Sequence, residues 1–237
     1  MGAQPLAGCV VGTTRETAGA LDDGLVARGA SVVHVPLIST VDIPADPLDH
    51  EVHWVVVTSR HGAERIGAWW HGGLRCAAVG TETAAVVTDT IGVAVDVIPE
   101  VQTAAALVEA MPSPGRDAHS VLVLQGDLAT TEVADRLTDR GYDVQRRVVY
   151  GTRPLVPSPH DVDRLLRSDV ITFASGSAVR AFAALVGGRP VPPVVVIGPS
   201  TAAVANAVGV RVDAVASPHS VDGLVHAVTT LSIPRHS

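Results

Sequence analysis

The sequence predicts an α/β protein built on parallel sheets, and three observations carry that prediction. First, apolar runs of strand length each end in a Gly, Ser or Thr loop that opens directly into a helical pattern. The clearest is Val194-Val195-Val196-Ile197, then Gly198-Pro199-Ser200-Thr201, then an Ala/Val helix that Gly209 stops. A short strand, Val210 to Asp213, and a helix opened by Ser220 follow. Second, the strand runs are continuously apolar instead of alternating, which is the pattern of strands covered on both faces. Third, the unit recurs. Ala78 to Val86 aligns with Val196 to Val204, Gly92 to Asp96 with Gly209 to Asp213, and Thr103 with Ser220. This is an internal duplication.

Taken in order, Cys9 to Gly12 reads as a strand ending in Thr13-Thr14-Arg15. Residues 16 to 28 read as a helix with Leu21, Leu25 and Val26 inward, stopped by Gly29. Ser31 to Leu37 is a second strand. Residues 39 to 47 hold two prolines and no period, so they read as a linker. Trp54 to Val57 is a strand ending in Thr58-Ser59-Arg60, with a helix near Ala63 to Trp70. The first copy of the repeat spans 76 to 110, and Pro112 to Gly115 is a turn. Val121 to Leu124 is a strand ending in Gln125-Gly126-Asp127. A helix with Val133 and Leu137 inward ends at Gly141, Val144 to Tyr150 is a strand, and 151 to 159 reads as a second linker. Asp169 to Phe173 is a strand ending in Ala174-Ser175-Gly176-Ser177, a helix covers 178 to 186, and the second copy follows. Pro234 to Ser237 is expected to fray.

The 237 residues suit two small domains or one large one. Hydrophobic residues make up 47% but aromatics only 3%, so Val, Ala and Leu must fill the core. A net charge of −7 argues against a nucleic-acid partner, which needs a basic face. Cys9 and Cys76 each adjoin an apolar run and read as buried free thiols. No signal pattern opens the chain, and no apolar run approaches the ~18 residues of a membrane span, so a cytoplasmic protein without a membrane partner is expected. No metal is expected. The histidines are scattered, and His50 and His53 lack a third ligand nearby.

The duplication reaches further. Val55 to Ser59 resembles Ile171 to Ser175, and Arg28-Gly29 before a strand resembles Arg140-Gly141. The order is unit A, unit B, unit A, unit B. A simple tandem would divide at Pro112 to Gly115. The two Pro-rich stretches suggest that the first A packs with the last B, and composition leaves both arrangements open.

Several short segments, in order, resemble the uroporphyrinogen-III synthase family. They are Thr58-Ser59-Arg60, Val79 to Ala84, Gln125-Gly126-Asp127, Val149 to Thr152, Thr172 to Ser177, Ile197 to Ala202 and Ser220 to Leu224. The resemblance implies two flavodoxin-like parallel-sheet domains joined by a two-stranded linker, with a ligand cleft between them. One domain is expected from residues 1–38 plus 155–237, an inserted one from 44–148, with linkers at 39–43 and 149–154. It further implies a monomer that closes the linear tetrapyrrole hydroxymethylbilane, inverts its last ring and loses water, with no cofactor.

A substrate with eight carboxylates meets a negative protein, so binding must be local. Backbone N–H groups at helix amino termini suit that role. The expected binding residues are Thr14, Arg15, Ser59, Arg60, Gly80, Thr83, Gly126, Ser175, Gly176, Ser177, Gly198, Ser200, Thr201 and Ser220. Arg15 and Arg60 could pair with carboxylates. Asp127 and Glu82 place acids at two of these loops and weaken them as anion sites. Tyr150 matches the family's tyrosine and is the expected proton donor to the leaving hydroxyl. Two rival readings stand beside this one. A hydrolase would use Ser200 with Asp213 and His219, and a non-catalytic regulatory or ligand-binding module would use the same loops.

Overall fold

A computed structural model of the chain describes residues 4–115 and 118–232. The end expected to fray, Pro234 to Ser237, lies outside them. In chain order the elements are β1 (Val10–Thr13), α1 (Ala20–Val26), β2 (Ser31–His34), β3 (Ile38–Asp42), β4 (Trp54–Val57), α2 (Arg60–Ala63), β5 (Arg75–Ala78), α3 (Thr81–Ile91), α4 (Ala104–Ala110), β6 (Ser120–Gly126), α5 (Glu132–Asp139), β7 (Asp143–Pro154), α6 (Pro159–Leu166), β8 (Val170–Phe173), α7 (Gly176–Val186), β9 (Val194–Val196), α8 (Pro199–Ala207), β10 (Ala214–Val215) and α9 (Val221–Thr230). The fold is α/β, with one five-stranded sheet in each of two compact units. The first unit comprises Met1–Ser39 with Arg153–Ser237, and the second Thr40–Thr152.

In the first unit the strand order is β10-β9-β8-β1-β2, every neighbour parallel. By order of use along the sheet this is the flavodoxin-like 2-1-3-4-5 arrangement. Its strands are apolar throughout because alternate residues face two separate cores. Ile171, Phe173, Val194 and Val196 pack with Phe182 and Ala205 of α7 and α8. Val170 and Val195 pack with Leu21, Leu25, Leu224 and Val228 of α1 and α9. With so few aromatics, the Phe173–Phe182 edge contact at 5.2 Å is the one large piece of the first core.

The second unit repeats the plan. Its order is β3-β7-β6-β4-β5, with β4 to β7 parallel. Val55, Val57, Leu122 and Leu124 face one core, while Trp54, Val56, Val121 and Val123 face the other. The duplication survives in detail. The Asp96 carboxylate accepts the Cys76 N–H at 2.8 Å, and Asp213 accepts the Val194 N–H at 2.9 Å. Val97 bridges Ala77 in parallel, just as Ala214 pairs with Val195. The chain passes between the units along β3 and β7. At one end the Leu155 N–H donates to the Leu37 carbonyl at 2.9 Å, and at the other the Ile43 N–H donates to Val149 at 3.1 Å.

Several sequence expectations are corrected here. The stretches whose composition showed no period carry strands, β3 over Ile38–Asp42 and β7 through Pro154, as the two-stranded linker implied by the resemblance requires. Pro44 and Pro47 lie beyond the pairing, so they do not prevent it. Residues 158 and 159, read as linker, open a helix: Ser158 caps α6 and Pro159 takes its first turn. The helix expected from 16 begins at Ala20, where the Asp22 carboxylate accepts the Gly19 N–H, and Val26 is exposed. The helix near 63–70 is one turn of α2 and one 3₁₀ turn at Ile66–Ala68. The short strand expected at 210–213 forms four residues later, at Ala214–Val215, and 92–96 forms no strand. Cys76 is buried as expected, but Cys9 is half-buried.

Candidate functional site

In each sheet the Gly/Ser/Thr loops gather at the carboxyl edge, and the helices they open fall into two kinds. Ser59, Ser175 and Ser220 are N-caps whose hydroxyls accept the N–H of Gly62 at 3.1 Å, Ala178 at 3.3 Å and Gly223 at 3.1 Å. Their lone pairs are engaged, but an O–H proton remains to donate. Ser175 and Ser177 also share a hydrogen bond at 3.0 Å. Gly80 and Gly198 open α3 and α8 with no side-chain cap. Uncapped first-turn N–H groups have no partner within their helix. At α8 these are Ser200 and Thr201, because Pro199 has no N–H to offer. The first turn of α8 bears no acid, whereas α3 bears Glu82. The α8 terminus is therefore the better anion seat. Ser200 is exposed there; Thr201 and its counterpart Thr83 are buried side chains that present backbone at this edge.

The chain has no lysine, so every fixed cation is an arginine. The structure separates the two expected ones. Arg60 donates to Glu64 at 3.0 Å, one turn on. Arg15 is half-buried and carries no ion pair among the described residues. Burial works against the Glu64 carboxylate, yet hydrogen bonds from His61 and Arg60 hold its pKa below the ordinary value. Arg60 is thus the weaker candidate. Thr14 is removed from the list: it is fully buried and its hydroxyl donates to the Thr172 carbonyl at 2.9 Å, inside the sheet.

The second unit builds its edge around Tyr150. Along β6 and β7 the register slips by one residue, so that Gln125 faces Val148 but Gly126 faces Tyr150. Such a bulge re-aims a side chain. The half-buried phenol donates to Ser59 Oγ at 3.0 Å. The Arg65 guanidinium lies 5.4 Å from the ring centroid, and the His61 ring sits 5.4 Å away at a tilt. Arg65 is held by Asp42 at 2.5 Å and by the His61 carbonyl at 2.9 Å. Gly126 is the floor: a Cβ there would lie 2.5 Å from Tyr150 Cζ. Gly126 was expected to bind substrate, and the structure gives it another task, making room for the ring. The neighbouring Asp127 carboxylate accepts the Thr152 N–H at 3.0 Å. Sequence reading missed His61 and Arg65; their only signal was a cluster of charges after a strand end.

The hydrolase reading is not supported. The Asp213 carboxylate is engaged by Val194 N–H and Arg211, and no hydrogen bond joins Ser200 to His219 among the described residues. His219 instead lies beside Gly198, 3.5 Å from where a Cβ would sit. Nor does any group of three His, Cys, Asp or Glu able to hold a metal occur among the described residues. No helix there is long and apolar enough to cross a membrane.

Parallel sheets with donor-rich strand-end loops define a flavodoxin-like α/β protein, a class whose ligands bind at the carboxyl ends of the strands. A protein-family model described as uroporphyrinogen-III synthase HemD matches residues 19–226. The chain belongs to the uroporphyrinogen-III synthase family, a family of porphyrin-biosynthesis enzymes. It is also similar to the solved uroporphyrinogen-III synthetase of Helicobacter pylori, at 15% identity over 93% of this chain and 98% of that one, with a TM-score of 0.64. A triple mutant of uroporphyrinogen III synthase from the extreme thermophile Thermus thermophilus matches at 16% identity over 93% and 97%, with a TM-score of 0.57. At these identities the likeness is one of fold.

Proposed function

We propose that the chain is a uroporphyrinogen-III synthase, a cofactor-independent lyase. It closes hydroxymethylbilane to uroporphyrinogen III, inverting the last ring and releasing water. In this reading it works as a cytoplasmic monomer with no nucleic-acid or membrane partner. The observation that carries the reading is the clamped Tyr150 in a chain of this family.

The hydroxyl leaves as water only if it gains a proton. Tyr150 supplies it, directly or through Ser59, whose oxygen already accepts the Tyr150 and Gly62 protons and so turns its own hydrogen outward. A phenol is a weak acid as a class, so positioning must contribute much of the rate. The carboxylates are held by Arg15, by the Ser200 and Thr201 N–H groups, by Gly80 and by the hydroxyls of Ser175, Ser177 and Ser220. Gly176 lets α7 approach Val204, whose side chain would lie 2.8 Å from a Cβ placed there.

The test is turnover of synthetic hydroxymethylbilane without metal or nucleotide. Left alone, it closes to the symmetric isomer I, so the isomer ratio reports the enzyme. Tyr150→Phe should lower kcat more than it raises KM. Isomer I alone, at the uncatalysed rate, would overturn the reading in favour of a binding module.

A further inference from the structure

At the carboxyl ends of β1 and β2, Thr13 and His34 join Asp22 of α1. Thr13 is fully buried, and its hydroxyl donates to Asp22 Oδ1 at 2.7 Å. The same hydroxyl lies 3.0 Å from His34 Nδ1, and Asp22 Oδ1 lies 3.6 Å from that nitrogen. Asp22 also receives the Gly19 N–H at 3.4 Å, the capping bond of α1. The cap needs Asp22 alone. It requires neither Thr13 nor His34.

The chain of bonds fixes the imidazole tautomer. A hydroxyl has one proton and a carboxylate only accepts, so the Thr13 proton goes to Asp22. The Thr13 lone pair then faces His34 Nδ1, which must carry the hydrogen. In the neutral ring that leaves Nε2 with a lone pair. That nitrogen has no partner among the described residues, and the His34 side chain is 25% exposed.

His34 opens on a shallow, solvent-open cavity of about 280 Å³ lined by Pro36, Leu155, the exposed Val156 and Pro157, with Asp161 as its other polar side chain. A hydrogen bond from Ser158 holds the Asp161 pKa below the ordinary value; Arg164 adds to this against a small burial effect, so the group stays anionic. The charged or titratable groups facing His34 from the packed helices are thus Asp22 on α1 and Asp161 on α6. The seat has apolar walls and two acceptors. It suits a flat apolar ring that donates, and it repels a carboxylate. A pyrrole has that character, since its nitrogen donates one N–H and its lone pair belongs to the ring.

We infer that this cavity seats one pyrrole ring of the substrate, its N–H donating to His34 Nε2. The inference rests on the tetrapyrrole reading above. It adds a unit-one subsite that recognises the ring itself, where the strand-end loops recognise its carboxylates. His34 is a binding residue here, and no proton is transferred.

The experiment uses the full chain and two probes: a carboxylated dipyrromethane and its N,N′-dimethyl counterpart, which lacks the donors. Wild type should bind the N–H probe about five- to tenfold more tightly, the effect of one neutral hydrogen bond. In His34→Phe and His34→Asn the ratio should fall to about one. Thr13→Ser should keep it, while Thr13→Val should reduce it. Imidazole ¹⁵N spectra of the free protein should show the Nδ1–H tautomer. An undiminished ratio in both His34 variants, an Nε2–H tautomer, or no binding of either probe overturns the inference. Failure of the functional reading looks different: wild type would not turn over hydroxymethylbilane, yet would still discriminate the two probes through His34.

Discussion

Gly126→Ala tests the clamp on Tyr150 directly. The backbone at 126 is strand, so alanine brings no conformational strain of its own. The new methyl would lie 2.5 Å from Tyr150 Cζ, 2.6 Å from Cε2 and 2.8 Å from the hydroxyl oxygen. Reaching ordinary contact requires a movement of about 0.9 Å. Arg65 and His61 crowd the ring from other sides, so the movement pulls the phenol from Ser59 and stretches the 3.0 Å hydrogen bond. Overpacking costs ~1–3 kcal/mol, and a misplacement near 1 Å costs on the order of 10–100-fold in turnover. Urea unfolding gives the first number and the hydroxymethylbilane assay the second. The clash should vanish with its partner: in a Tyr150→Ala background, Gly126→Ala should cost under about 0.5 kcal/mol. Gly198→Ala is the control, because its methyl would meet His219 at an ordinary 3.5 Å. A full-size penalty that persists without the Tyr150 ring would refute the argument.

Other outcomes follow from the same geometry. Arg15→Gln should raise KM severalfold, whereas Arg60→Gln, already paired with Glu64, should change it little; steady-state kinetics would separate them. Ser175→Ala and Ser220→Ala should each cost ~1 kcal/mol by loss of a cap, read as a fall in Tm. Burial, with the Asp96 charge adding to it, pushes the Cys76 thiol up to about 12 from 9.0. The unfolded chain loses that proton first, so the contribution to stability is complete below pH 9 and declines as pH climbs toward 12, which denaturation at stepped alkaline pH would show. We also expect two domains, 1–38 with 155–237 and 44–148. Limited proteolysis should nick loops near 44–50 and 155–158, and one cut at 112–115 giving two stable halves would contradict this.

Much was legible in the residues alone. Continuous Val/Leu runs announced strands covered on both faces, because alternate side chains feed two cores, as Val194 and Val195 do. The repeat located the strand-end loops, because Gly, Ser and Thr there reflect local backbone demands at helix starts. Family resemblance singled out Tyr150. What tertiary structure decided was the use of each group. Thr14 and Arg15 are neighbours in sequence, yet one bonds into the sheet at Thr172 and the other carries no ion pair among the described residues. Gly126 became the floor under Tyr150 through a one-residue register slip that no local pattern encodes. Thr13, Asp22 and His34 carried no motif, since their meeting depends on β1 and β2 lying side by side. Local propensity sets where a strand or helix begins; which side chains share a hydrogen bond is fixed by long-range packing.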